Sequence, residues 1–394
     1  MKEMVKKVKL KIGIVTFHMA WNYGAVLQCA ALSTVLEKRG HDVRIINYVP
    51  DYSEERIFRN PIKEGMKLYH ELSNKGKAYR IARALRRTIR RVLDVRIIGD
   101  RKKINNVFQK FQLEHFHLTR RFHSLEELRA DPPDFDVYIS GSDQLWNSSL
   151  TNGALDPVYF LQFGPKTAKR IAYAVSACNV HEKMKNTFAQ MLPNFDYISL
   201  RESKFQDKIS LWGNKQVYIN PDPTVLLDAE EYERMEQPIL LQTPFVFIYL
   251  LSKEGAVTQC EMLVDTLNQN RNLTIIDGSP NSFCKIPGLR NMKVLSPGEW
   301  LYLIHHADYV ITNSFHCMVL STIFRKNLFI LPCTPSRIER LEEFAEYAGL
   351  KDRIVYNPED VGHAVNNKID FFAFEAYQKH MQNTADRFLD MVLQ

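Results

Sequence analysis

Residues 308–324 read DYVITNSFHCMVLSTIF, an apolar strand pattern passing into an apolar helix pattern. Thr312, Asn313, Ser314 and His316 stand at the join. Starting a helix calls for Asn or Ser as a cap, but not for imidazole. His316 therefore reads as an acid–base or ligand-binding group, since imidazole titrates near neutral pH. The free N–H groups and dipole of a helix start also favour an anion, which Asn313 and Ser314 could help to hold or could merely cap.

Three further clusters follow strand-like runs. ISGSDQLWNSS (139–149) offers Ser142, Asp143 and Gln144. The first two are equally good helix caps. Trp146, in polar surroundings, suits a platform for stacking a sugar. YISLRE (197–202) ends on Arg201, either a forked donor for a carboxylate or phosphate or half of a surface ion pair with Glu202. FHMAWNYGAVL (17–27) sets Asn22, Tyr23 and Gly24 at the start of a helix, where glycine permits close backbone approach. Asp222, between two prolines, reads as a structural turn. His305 and His306 lie on an apolar helix and read as structural, because adjacent helical positions face different ways; no metal site is expected. The chain contains no G-x-G-x-x-G, Walker, G-x-S-x-G or H-E-x-x-H pattern, so dehydrogenase, NTPase, α/β-hydrolase and zincin chemistries lose support.

The elements that must position these residues alternate between strand and helix, the pattern of α/β folds with parallel sheets. Strand patterns occur at 11–17, 42–48, 135–141, 170–176 and 196–202, closed by 216–227. A second series runs over 244–251, 273–277, 292–295, 308–312 and 328–331. Ser296, Pro297 and Glu299 predict a helix start with a capping box. Two sheet-based domains facing a cleft are expected, residues 1–236 and 237–370, with a helix over 371–394 able to pack back on the first. Residues 52–125 form an insertion. Its segment 80–98, from Arg80 past Arg96, puts Ile81, Leu85, Ile89 and Val92 on one helical face among seven arginines. A solvated helix packed on the first domain is the simpler reading, contact with an anionic lipid surface the other.

At 394 residues the chain is long enough for two or three domains. Six scattered cysteines without a C-x-x-C pair argue for a reducing compartment. No run is long and apolar enough to span a bilayer, and the basic, then apolar start reads as a first strand rather than a signal peptide. The net charge of +7 suits an anionic metabolite, an anionic carrier or nucleic acid without choosing among them.

Taken in order, NYGAVLQCAAL (22–32), GSDQLWN (141–147), YAVSA (173–177), SLRE (199–202), DPTVLL (222–227), ADYVITNSFHCMVLSTIF (307–324) and SRIERL (336–341) resemble the polysaccharide pyruvyl transferase family. The resemblance implies a glycosyltransferase-B-like α/β fold. It also implies transfer of an enolpyruvyl unit from phosphoenolpyruvate to a saccharide, forming a pyruvate ketal in polysaccharide or cell-envelope glycan synthesis. It makes His316 the general acid/base, Arg201 a donor ligand, and Arg337 a basic group near the donor phosphate. Phosphoenolpyruvate would be a co-substrate, with no bound cofactor and no nucleic-acid partner. The acceptor could be lipid-linked, and the protein cytoplasmic or peripheral at the inner membrane face. Cys317 replaces a smaller residue at a position next to the implied anion site. A nucleotide-sugar glycosyltransferase, whose ribose ligand could only be Asp277, and a non-catalytic saccharide-binding protein remain the alternatives.

Overall fold

The computed structural model describes residues 8–52, 76, 77, 79, 81, 83, 85, 95–178, 180–269 and 271–394. Most of the arginine-rich segment 80–98, and with it both the solvated-helix reading and the alternative lipid contact, lies outside these residues. Among the described residues, no helix is long and apolar enough to cross a membrane, and all six cysteines are unpaired.

Seven strands form the first sheet: β1 (Lys11–Val15), β2 (Asp42–Tyr48), β3 (Leu118–Phe122), β4 (Val137–Ser140), β5 (Lys169–Val175), β6 (Tyr197–Leu200) and β7 (Val217–Ile219). Their spatial order is β3-β2-β1-β4-β5-β6-β7, and every pairing is parallel. The second sheet contains β8 (Phe245–Tyr249), β9 (Thr274–Asp277), β10 (Arg290–Asn291), β11 (Tyr309–Thr312) and β12 (Asn327–Ile330). Its order is β10-β9-β8-β11-β12, again parallel. Central strands such as β8 are buried at every position, as expected where helices cover both faces of a sheet. The strand order reverses between β1 and β4 in the first sheet and between β8 and β11 in the second, while all strands keep one direction. Ligands of open α/β sheets settle beside such switch points, outside the carboxyl ends of the strands.

Two details depart from the sequence reading. The insertion contributes an edge strand, β3, and a helix α2 (Val95–His115) whose Phe108 and Phe111 enter the main core. The strand expected over 292–295 is instead the two-residue β10, just upstream.

The domains meet through helix α1 (Tyr23–Lys38), helix α3 (Pro297–His306) and helix α4 (Phe315–Ile323). Ser296 and Glu299 form the capping box that starts α3. One hydrophobic cluster runs unbroken from α1 into α3 and α4, so the two sheets share a core rather than an open gap along their whole length. Tyr23 stacks on Trp300 with ring centroids 4.9 Å apart and 9° between planes. The last helix, α6 (Phe372–Val392), returns to the first domain. There Arg39 pairs with Asp386 at 2.6 Å, and Gln378 donates to the Val225 and Leu227 carbonyls at 3.1 Å.

Candidate functional site

The turn from β11 to α4 is built by its own polar residues. Thr312 Oγ1 donates to the Tyr249 carbonyl at 2.7 Å and accepts from the Ser314 N–H at 3.0 Å. Asn313 accepts from the Leu251 N–H and donates to the carbonyls of Ser252 and Pro332. Ser314 is the N-cap of α4. Both residues assigned to the donor are thus engaged internally: Asn313 ties three loops together and Ser314 caps. They shape the turn that presents His316.

His316 points across the domain boundary to the start of α1. A Cβ on Gly24 would lie 2.0 Å from His316 Nδ1, so only a glycine there admits the imidazole. On its other side, Nε2 lies 3.6 Å from Asp222 Oδ2, an ion-pair distance, and has no hydrogen-bond partner although buried.

Asp222 is the hub. Its Oδ1 accepts from the Thr224 N–H and hydroxyl at 3.0 and 2.7 Å, closing the turn after β7. Its Oδ2 accepts from Arg201 Nη1 at 2.6 Å and from Ser142 Oγ at 3.4 Å. Burial alone would raise this carboxyl, but His316, the Arg201 guanidinium and the Thr224 hydroxyl outweigh it and hold it well below the usual carboxylate range. It stays ionised, a fixed negative charge beside the imidazole.

Arg201, at the end of β6, has 5% of its side chain exposed. Nε donates to Glu202 at 3.1 Å and Nη1 to Asp222, while buried Nη2 has no partner. Burial opposes its charge, but Glu202, Asp222 and Asp143 more than compensate and raise it above its ordinary value. A second guanidinium joins it, and it belongs to Arg340 on helix α5 (Pro335–Tyr347). Arg340 lies 3.6 Å from Glu202 Oε1, and its buried Nε is also unpartnered. The two guanidinium groups share the Phe315 ring at 5.9 and 5.7 Å. Glu202 between them accepts from Ser176 at 2.9 Å.

Arg337, the basic residue taken from SRIERL for this role, stands one turn before Arg340 on the same helix and lines a cavity. It joins Trp21, Asn22, Asp143, Gln144 and Tyr159 in the wall of a 390 Å³ cavity. Asn22, Asp143 and Gln144, singled out in the sequence, therefore share one hollow with Arg337. Ser142 is buried with Asp222. Tyr23 is spent on the domain interface, its hydroxyl 3.4 Å from the Leu295 carbonyl. Trp146 is a core residue, fully buried, stacked on Phe160 at 5.0 Å and donating to the Tyr159 carbonyl. It cannot serve as a sugar platform from there. Cys317 is also fully buried, and burial pushes its thiol up to about 12, so it is neutral filling behind the histidine.

Asp222, Glu202, Arg340 and the tight fit at Gly24 escaped the sequence reading. The spacing of Arg337 and Arg340, three apart on one helix, was the available signal for a second basic group.

Residues following β1, β4, β6, β7 and β11 thus converge at the carboxyl ends of two parallel sheets, and the terminal helix returns to the first domain. That arrangement defines a glycosyltransferase-B-type protein with two Rossmann-like domains. A protein provisionally named UDP-N-acetylglucosamine 2-epimerase from Listeria monocytogenes superposes with a TM-score of 0.50 at 10% identity, covering 97% of this chain and 95% of that one. At that identity the likeness concerns the fold alone. UDP-GlcNAc 2-epimerases from Methanocaldococcus jannaschii (TM-score 0.49, 11% identity, 98% of this chain and 100% of that one) and Neisseria meningitidis (0.45, 9%, 98% and 100%) are also similar. No curated protein sequence matches. The chain belongs to the polysaccharide pyruvyl transferase family, whose model matches residues 22–334. Gly24, Arg201, Glu202, Asp222 and His316 fall inside the matched span; Arg337 and Arg340 fall beyond it.

Proposed function

We propose that this transferase moves an enolpyruvyl unit from phosphoenolpyruvate to a saccharide and closes a pyruvate ketal across two of its hydroxyls. One observation carries the reading. Three buried nitrogens, His316 Nε2, Arg201 Nη2 and Arg340 Nε, lack partners and are linked through Asp222 and Glu202. Buried polar groups are nearly always satisfied, so such a set suits the oxygens of a small anion with both a carboxylate and a phosphate. Asp222 and Glu202 hold Nη1 and Nε of Arg201, and Glu202 also faces Arg340, which together fix the orientation of the two groups.

In this reading His316, facing the ionised Asp222 at 3.6 Å, gives a proton to the methylene carbon of the donor. A saccharide hydroxyl then adds to the cationic carbon, phosphate departs with its bonding pair, and a second hydroxyl closes the ring. The neutral imidazole takes up one hydroxyl proton and is ready again, and the proton of the other hydroxyl leaves with the phosphate. The cavity bearing Asn22, Asp143, Gln144 and Arg337 would receive the acceptor, whether free or lipid-linked. Use of this donor would place the reaction in the cytoplasm.

The nucleotide-sugar reading loses its ribose ligand. Asp277 is buried, with one oxygen taken by the Ser279 N–H and the other by Asn291. Phosphoenolpyruvate should raise the thermal midpoint and nucleotide sugars should not, because a ligand stabilises the state that binds it. Phosphate release with donor and glycan should collapse in His316→Gln. Stabilisation by nucleotide sugars alone would overturn the proposal.

A further inference from the structure

On the far side of the domain boundary, three side chains converge that the transfer chemistry does not use. Glu236 follows a short helix in the first domain's tail, residues Ala229–Glu233, and immediately precedes the connector to the second sheet. His305 and His306 form the last turn of α3. Neighbouring helical positions diverge, so adjacency in the chain alone would not bring the two rings together. Yet their centroids lie 4.6 Å apart and both face the same carboxylate. His305 Nδ1 is 2.7 Å from Glu236 Oε1, and His306 Nδ1 is 3.8 Å from Oε2. One ligand atom from each residue lies within 4.8 Å of the other two.

We propose that Glu236, His305 and His306 bind one divalent transition-metal ion of the zinc class, clamping the interdomain connector to α3. Two imidazoles and one carboxylate are a set that zinc accepts, with water completing four-coordination, whereas magnesium and calcium prefer all-oxygen sites. Bonds of about 2.0–2.1 Å at tetrahedral angles put ligand atoms roughly 3.3 Å apart. His306 Nδ1 now lies 3.1 Å from the Tyr302 carbonyl, a hydrogen bond that ligation of the metal would replace.

Two features beyond the three ligands match a built site. Each ring is held in place by stacking: His305 on Phe324 at 4.4 Å and 12°, His306 on Tyr302 at 3.9 Å and 20°. His305 Nε2, the nitrogen pointing away from Glu236, faces Glu233 Oε1 at 3.8 Å. A carboxylate behind the non-ligating nitrogen fixes the tautomer of metal-binding histidines. Glu236 is itself sheltered, with 10% of its side chain exposed.

The test uses the full chain after dialysis against a chelator. Calorimetry with zinc chloride should show one equivalent bound, and cobalt(II) should give the intense visible bands of a four-coordinate site. His306→Ala, at an exposed position, and the near-isosteric Glu236→Gln should each weaken binding at least about tenfold. Glu233→Gln should weaken it about 10–100-fold, the usual cost of losing such a partner. No binding up to millimolar zinc, equal affinity in wild type and His306→Ala, or equal binding of magnesium would each overturn the proposal. Since no readout involves transfer, failure here leaves the proposed reaction untouched, and the reverse holds too.

Discussion

Gly24→Ala adds one methyl group and challenges the whole arrangement of the site. The new Cβ would lie 2.0 Å from His316 Nδ1, 2.4 Å from Cγ and 2.6 Å from Cε1. Comfortable contacts begin near 3.5 Å, so the ring must retreat by roughly 1.5 Å. Position 24 is helical and outside the left-handed region, so alanine is locally preferred there by about 1 kcal/mol. Overpacking of this kind costs about 1–3 kcal/mol; the net loss of stability should be no more than about 2 kcal/mol. Activity should suffer far more. A displaced acid–base group forfeits a contribution worth about 10²–10⁴-fold, so turnover should fall nearly as far as in His316→Gln. Removing the ring isolates the cause. In a His316→Ala background the three nearest clashing atoms are gone, and Gly24→Ala should be neutral or stabilising by up to about 1 kcal/mol. Urea unfolding of the four proteins gives a coupling energy expected at roughly 1–3 kcal/mol. If Gly24→Ala costs the same with and without the imidazole, the two residues do not touch and the site as described is wrong.

Asp222→Asn keeps the shape but strips a buried charge from Arg201; breaking such pairs costs about 3–5 kcal/mol, measurable as a lower urea midpoint. The Asp222 carboxyl titrates below its ordinary value of 3.8 in the folded protein. Its stabilisation is therefore complete above that value and fades as the pH falls below it toward the depressed one. The acid arm of the stability profile should be shallower in Asp222→Asn, and parallel arms would count against the assignment. Arg340→Ala removes charged hydrogen bonds worth about 1.5–3 kcal/mol, so phosphoenolpyruvate should bind about 10–100-fold more weakly, and lysine should not restore it because it lacks the planar fork. Arg337→Ala should leave donor affinity within about threefold; an equal loss in both variants would return Arg337 to the donor site. Trp146→Ala should cost about 3–5 kcal/mol of stability, while Trp146→Phe keeps the acceptor KM. A raised KM in the phenylalanine variant would restore the sugar-stacking role.

The sheets were legible because buried parallel strands are continuous apolar runs, and β8 and β11 announce themselves that way. Strand β3 did not, since LTRRF sits on an edge and carries two arginines. The same contrast separates the site residues. His316 could be singled out because no local role explains an imidazole at the start of an apolar helix. Asp222 could not, because a local role explains it fully: one oxygen caps the turn, as the Pro-Asp-Pro-Thr pattern suggests. Its second oxygen faces Arg201 and His316, and nothing within the segment requires that. Trp146 misled in the opposite direction. Its sequence neighbours are polar, yet its burial is decided by Phe160 and Phe188, which arrive from 14 and 42 residues further along the chain. Gly24 needed the other domain to be in place before its missing side chain had meaning. A residue with two functional atoms can thus satisfy its own turn with one and the site with the other. At the carboxyl ends of parallel strands, where caps and ligands compete for the same polar side chains, an explained cap is no argument against a catalytic partner.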